Sequence, residues 1–408
     1  MGMENKELQE EMEQALAGLK VLDFTSMSPG PFATLMLADM GASVIKVVSA
    51  LRPDYTERAE PFLPGTDISS GTAYLGRNKR VLTLNLKDAG AAEIVRKLIR
   101  DGGYNIIIEQ NRPGVMDKLH LGYDELRQVD PGLIFCSLTG YGQTGSMSKK
   151  PGHDINYVAL SGAASYSGRK ATGPAIESLF LADIPSGSNH CVIGILMAVI
   201  YRQRTGIGQY IDVSMTDGVV AFNAKQAAAT LISGMDPQPE ELFHNGGGFY
   251  DFYETKDGKY VSVGAMEPKF VKALFEKLGR EDLTQLNARA LLPAEVKQEL
   301  RNIFRTKTRD EWVGIFNKGD ETCFEPVLTV SEALHSTLAK ERQLVVDVPG
   351  PDGKRYPQPA MPIKLSACPA QYRHIGKPSG DADTEEILAE LGYSATEIRG
   401  MQDSGLLR

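Results

Sequence analysis

Residues 19–49 restrict the possible folds more than any other part of the chain. LKVLDF (19–24) is a short apolar run and TSMSPGP is a turn. FATLMLADMG (32–41) has helical length and ends on glycine, and SVIKVVS (43–49) is a second apolar run. Two buried strands with a helix between them pair in parallel, because a parallel pair needs a long crossover and a hairpin does not. The pattern recurs. Strands are predicted over 80–86, 104–110 and 132–142, with an apolar-striped helix over 89–101 and a short helix in YDELRQV. This alternation predicts an α/β fold with a large, Rossmann-like doubly wound domain. Ligands of such sheets bind beyond the carboxyl ends of the strands, so the loops after residues 24, 49, 110 and 138 form the expected rim.

The pattern changes in the second half. A largely apolar helix is predicted over 187–203, a strand over 210–214 and an alanine-rich helix over 217–234. A hairpin over 249–265 closes at Asp257-Gly258, and charged helices follow at 269–279, 294–305 and 309–318. These describe a smaller α+β domain. At 408 residues the chain is too long for one small core, and the expected division is 1–216, 217–330 and a returning segment 331–408. Residues 4–17 read as a charged helix and 383–391 as the last helix.

Several function classes lose ground. The net charge of −8 argues against a nucleic-acid partner, and the apolar run 191–201 is too short to span a bilayer. The acidic start lacks the apolar core of a secretory signal. Cys136, Cys191, Cys323 and Cys368 are scattered, which supports neither a metal site nor a disulfide framework and fits a cytoplasmic protein. Phosphate-loop, zinc-protease and nucleophile-elbow motifs are all missing from the sequence.

Three residues are candidates for acid–base chemistry. His153 follows a Pro-Gly turn in PGHDINYVALSG, and its neighbour Asp154 would point away from it on a strand. Asp183, in LFLADIPSGS, has an apolar lead-in that would raise its pKa, yet it suits an N-cap for the helix at 187 equally well. Glu267 precedes a helix-starting proline, where the helix dipole alone would favour it. Arg77, Lys79, Arg80, Arg112 and Lys118 lie in or near the rim; they suit phosphate groups or a solvated surface. Gly246-Gly247-Gly248 reads as a mobile flap or a plain connector.

The opening segment 19–47, GRNKRVLTLNLK, QNRPGVMDKLHLGYDEL, SLTGYGQTG and RTGIGQYIDVSMTDG resemble the family III CoA-transferase superfamily, in order, over residues 19–345. GHDINY followed by A-M-E-P is most similar to its α-methylacyl-CoA racemases. The resemblance implies His153, Asp183 and Glu267 as the catalytic set, with Glu267 tuning His153 and Asp154 structural. It implies proton transfer at the α-carbon of a 2-methylacyl-CoA, with the enolate held by backbone N–H groups near 183–188. The alternative is a CoA-transferase with Asp183 as nucleophile. Lys79, Arg112 and Lys118 would contact CoA, which arrives on the substrate, so no separate cofactor is expected. The family implies an interlocked homodimer. The family's acidic residue and arginine after the VIKV strand are replaced here by Val48-Ser49, with Arg52 or Arg58 as substitutes, and the triple glycine resembles a transferase flap.

Overall fold

The computed structural model describes residues 14–49, 54–316 and 322–407. Most of the helix read at 4–17, and Arg52, lie outside the described residues. The chain divides into two units: residues 1–157, 179–219 and 338–408 form the first, and 158–178 with 220–337 form the second.

The first unit is built on six parallel strands: β1 (Lys20–Phe24), β2 (Ser43–Val48), β3 (Lys79–Thr83), β4 (Ile106–Glu109), β5 (Ile134–Thr139) and β6 (Tyr210–Ser214). Their order is β3-β2-β1-β4-β5-β6. The order reverses between β1 and β4, and the loops following these two strands form the crevice where such sheets bind ligands. Gly30 N–H donates to Gln110 Oε1 across that crevice at 3.2 Å.

Both faces of the sheet are covered. Helix α1 (Pro29–Asp39), opened by the Pro-Gly-Pro turn, packs on one face. Helix α2 (Ala89–Arg100) buries its apolar stripe of Ile94, Val95, Leu98 and Ile99 on the other, with Leu22, Ile107 and Phe135. Helices α3 (Asp154–Leu160) and α4 (Asn189–Thr205) follow β5. Cys191 on α4 meets Cys136 of β5, sulfur to sulfur at 3.2 Å, which puts α4 on the sheet face opposite Phe135. The stretch 154–160 is a helix, so the strand alternation expected at His153-Asp154 does not apply.

The segment 182–205 is a single helical stretch, longer than the 191–201 run suggested. By length and composition alone it could cross a membrane, and 44% of its apolar window is buried. A core helix meets the same criterion.

The second unit holds a three-stranded antiparallel sheet: β7 (Asp251–Glu254), β8 (Tyr260–Val263) and β9 (Phe324–Pro326). Phe249, Tyr253, Phe275, Phe304, Trp312 and Phe316 fill its core. Residues 158–178, read from sequence as part of the large domain, belong here. The reason is ionic. Arg169 pairs with Asp251, whose other oxygen lies 3.3 Å from Lys297 Nζ, and Lys170 pairs with Glu241 at 2.8 Å. The triple glycine is buried and packed rather than flap-like. A side-chain carbon at Gly247 would lie 2.7 Å from the Glu240 carbonyl oxygen, so glycine there permits a close approach of two backbones.

Candidate active site

Asp183 sits in a widened, π-helical turn, Ala182–Ser188, that leads into α4. Pro185 lies inside that turn. Proline has no N–H to donate, and its ring collides with the carbonyl four residues back, so a wider turn relieves both problems. Asp183 is therefore within the helical stretch and does not cap it, which removes the capping alternative.

Neighbouring side chains fix the turn. Asp154 Oδ1 accepts the backbone N–H of Ala182 at 2.7 Å and of Asp183 at 3.0 Å. Ser188 Oγ donates to the Pro29 carbonyl at 2.6 Å, and Ser186 Oγ to the Met215 carbonyl at 2.6 Å. Asp154 is thus structural, as expected, and it acts on Asp183 directly. Sequence reasoning could not identify its partners, which lie 28 and 29 residues away.

The carboxylate of Asp183 is half-buried and accepts no hydrogen bond among the described residues. Burial pushes its pKa up to about 6, the nearby charge of Asp154 pushes the same way, and His153 opposes them. His153 is exposed at the N-terminal end of α3, close enough to act on Asp183 electrostatically. Its backbone N–H donates to Asn156 Oδ1 at 3.0 Å. The Tyr157 hydroxyl donates to the Gly152 carbonyl at 2.5 Å, and burial with the Asp183 charge pushes its pKa up to about 12. A side-chain carbon at Gly140 would lie 2.2 Å from the Tyr157 ring, so only glycine lets that ring cover the loop after β5.

The backbone N–H groups expected to hold an enolate near 183–188 are otherwise engaged. Those of Ala182 and Asp183 go to Asp154, Ile184 donates to Phe180 and Ser186 to Leu181. The start of α3 offers an alternative, because the amides of Asp154 and Ile155 have no carbonyl four residues back within the helix.

Glu267 belongs to the second unit. It is exposed, precedes the helix Pro268–Lys277 and makes no side-chain capping bond, so its carboxylate is not committed to the helix end.

The basic residues divide into two groups. Arg112 and Lys118 are exposed in the segment after β4, beside the point where the strand order reverses. Lys79 departs from the expected rim position. It is the first residue of β3, fully buried, with Nζ bonded to Thr34 Oγ1 at 2.6 Å and the Pro31 carbonyl at 2.8 Å, and 3.2 Å from Asp23. Burial pulls its pKa down to about 8. Arg77 is also buried, paired with Asp39, and Arg80 pairs with Glu390 at 2.8 Å. Near the missing family arginine, Lys46 pairs with Asp54 at 3.1 Å and Arg58 is exposed.

Comparison with known proteins agrees with this architecture. The α-methylacyl-CoA racemase of Mus musculus is 37% identical over 387 residues, 94% of this chain and 95% of its own length. The succinyl-CoA–L-malate CoA-transferase β subunit of Chloroflexus aurantiacus is 30% identical, covering 96% of this chain and 98% of its own. The crystal structure of a CAIB/BAIF family protein from Brucella suis superposes with a TM-score of 0.79 at 27% identity, over 93% of this chain and 99% of that one. Residues 16–384 match CoA-transferase family III, and the chain belongs to that family.

Proposed function

We propose that this protein is an acyl-CoA racemase that transfers a proton at the α-carbon of a 2-methylacyl-CoA thioester. One observation carries the reading: Asp183 is a half-buried carboxylate without hydrogen-bond partners among the described residues, its pKa lifted to about 6, with His153 beside it. A proton α to a thioester is weakly acidic, and a base with a pKa near the working pH removes it most effectively. In one direction Asp183 takes the proton and His153, protonated, delivers one to the opposite face. In the reverse direction the roles exchange. The C–H bond broken on one face is replaced by a C–H bond on the other, so nothing is oxidised or reduced and CoA is not released.

The intermediate carries negative charge on the thioester oxygen. The Asp154 and Ile155 amides at the start of α3 are suited to hold it, and such donors contribute most where water is excluded. Arg112 and Lys118 supply positive charge for the CoA phosphates, far from the reacting carbon, where binding energy positions the acyl group. The reaction is written with side chains alone and calls for no cofactor beyond the CoA on the substrate.

The reading includes a homodimer in which Glu267 of a second copy orients His153. Ile193, Met197, Ile200 and Tyr201, on one face of α4, are exposed to between 39% and 65%, a contiguous apolar row of the kind that marks an interface. A mass twice that of the chain in light scattering tests this. None of the four cysteines is in a disulfide among the described residues, which fits the reducing cytoplasm that this reading includes.

The Chloroflexus relative supports a second reading, CoA transfer with Asp183 as nucleophile. One experiment separates the two. The enzyme is incubated in deuterated water with a 2-methylacyl-CoA and no acceptor acid. Deuterium at the α-carbon supports racemisation. Its absence across a panel of acyl-CoAs, together with hydroxylamine trapping of an adduct on Asp183, establishes transfer instead.

A further inference from the structure

A cavity of about 320 Å³ opens in the first unit on the far side of the sheet from Asp183. Phe135 and Ser137 of β5 point into it, whereas Cys136, between them, faces α4. The short helices Val115–Lys118 and Tyr123–Leu126 contribute Met116, Asp117, Tyr123 and Asp124 to its lining.

Its floor is a polar chain. The Tyr210 hydroxyl donates to Ser137 Oγ at 2.9 Å, Ser137 hydrogen-bonds Glu109, and the Asn111 N–H donates to Glu109 Oε2 at 2.6 Å. Glu109 is 3% exposed and pairs with no basic side chain among the described residues. A buried carboxylate without a countercharge is costly, and burial pushes the pKa of this one up from its ordinary value, against the hydrogen bonds from Ser137 and Asn111. The walls are aromatic. Tyr123, Phe135 and Tyr210 lie with ring centroids 5.5–6.1 Å apart. Asp117 and Asp124 add two carboxylates at the lining, against the single cation of Arg112. Gln143 also lines the cavity, and its amide nitrogen is buried without a partner among the described residues.

We propose that this cavity binds a small organic cation, an ammonium on an aromatic body, at a place separate from the acid–base site. The ammonium sits against Glu109 and supplies the missing countercharge, and the rings flank the body and add cation–π attraction. A polar acceptor on the ligand meets the Gln143 amide. Three carboxylates to one guanidinium make the lining unfavourable for a phosphate, although Arg112 itself is shared with the proposed CoA contacts.

Isothermal titration of the full chain with tyramine tests the proposal, with para-ethylphenol as the uncharged counterpart. Expected are one tyramine per chain and binding at least about tenfold weaker for para-ethylphenol. Glu109→Gln weakens tyramine binding about tenfold, and Gln143→Leu, which removes the amide donor, weakens it about threefold. Circular dichroism checks that Glu109→Gln is folded; if it is not, Gln143→Leu alone decides. Four results each overturn the proposal: no saturation by ~10 mM tyramine, equal binding of para-ethylphenol, no response to substitution in the folded variants, or displacement of tyramine by coenzyme A.

Discussion

Asp23 and Asp183 belong to the same unit and are withdrawn from water in opposite ways. Asp23, at the end of β1, is fully buried and fully partnered: Thr25, Thr34 and Lys79 surround its carboxylate. Burial alone would push its pKa up, and Lys79 beside it reverses the sign. Asp183 is less buried, yet its side-chain oxygens have no hydrogen-bond partner among the described residues, and its pKa rises. For Asp23 the hydrogen bonds go to the carboxylate itself. For Asp183 they go to the backbone around it, through Asp154, Ser186 and Ser188, and the reactive oxygens are left open. A satisfied carboxylate stabilises a fold, whereas a rigidly held but unsatisfied one is ready to exchange a proton.

The contrast can be broken from either side. Asp183→Asn should lower deuterium exchange into a 2-methylacyl-CoA by about 10³-fold with the fold intact, as judged by circular dichroism. Lys79→Met should do the reverse in kind. It strands Asp23 as an unpaired buried charge and should cost about 3–5 kcal/mol in urea denaturation. If Lys79→Met left stability unchanged and raised KM alone, Lys79 would be a CoA contact after all.

Smaller effects sharpen the picture. Arg112→Ala should raise KM for acyl-CoA about tenfold with little change in kcat, because it removes binding shared by ground and transition states. Asp154→Asn keeps an oxygen for the two N–H bonds and removes the charge. The pKa of Asp183 should then fall, moving the acid limb of the pH–rate profile to lower pH; an unmoved limb would remove Asp154 from the electrostatics. The smallest effect is on stability. Because the folded pKa of Asp183 is raised, its contribution is fully present below the unfolded value of about 4 and is lost as pH rises through about 6. Asp183→Asn should therefore stabilise the protein by ~1–2 kcal/mol at pH 8 and by nothing at pH 4, after allowance for the remaining contact with water.

The parallel sheet was legible because strands buried on both faces leave continuous apolar runs, such as SVIKVV, and their crossovers end in turn residues. Asp183 was legible as a candidate because its lead-in is apolar, but its widened turn was not, since only one proline hints at it. Lys79 was misplaced for a related reason. A lysine beside a strand reads as surface, and its burial depends on Asp23, 56 residues earlier. The change of unit at 158–178 was hidden because it rests on ion pairs of Arg169 and Lys170 with residues about 70–80 positions further on. Long-range pairing leaves no local pattern.

The Asp154 carboxylate also has a topological consequence. It joins the chain just before the excursion 158–178 to the chain just after it, at residues 182 and 183. The excursion is thus a loop whose ends are clasped at its base. Closing a loop costs free energy that grows only with the logarithm of its length, about 0.6 kcal/mol per doubling. Insertions within 161–178 that spare the ion-paired Arg169 and Lys170 can therefore reshape what lies beyond the clasp at little cost in loop closure, with His153 and Asp183 held in register on either side of it. In this arrangement, the segment between the two reacting groups is free to vary because the groups themselves do not depend on it for their spacing.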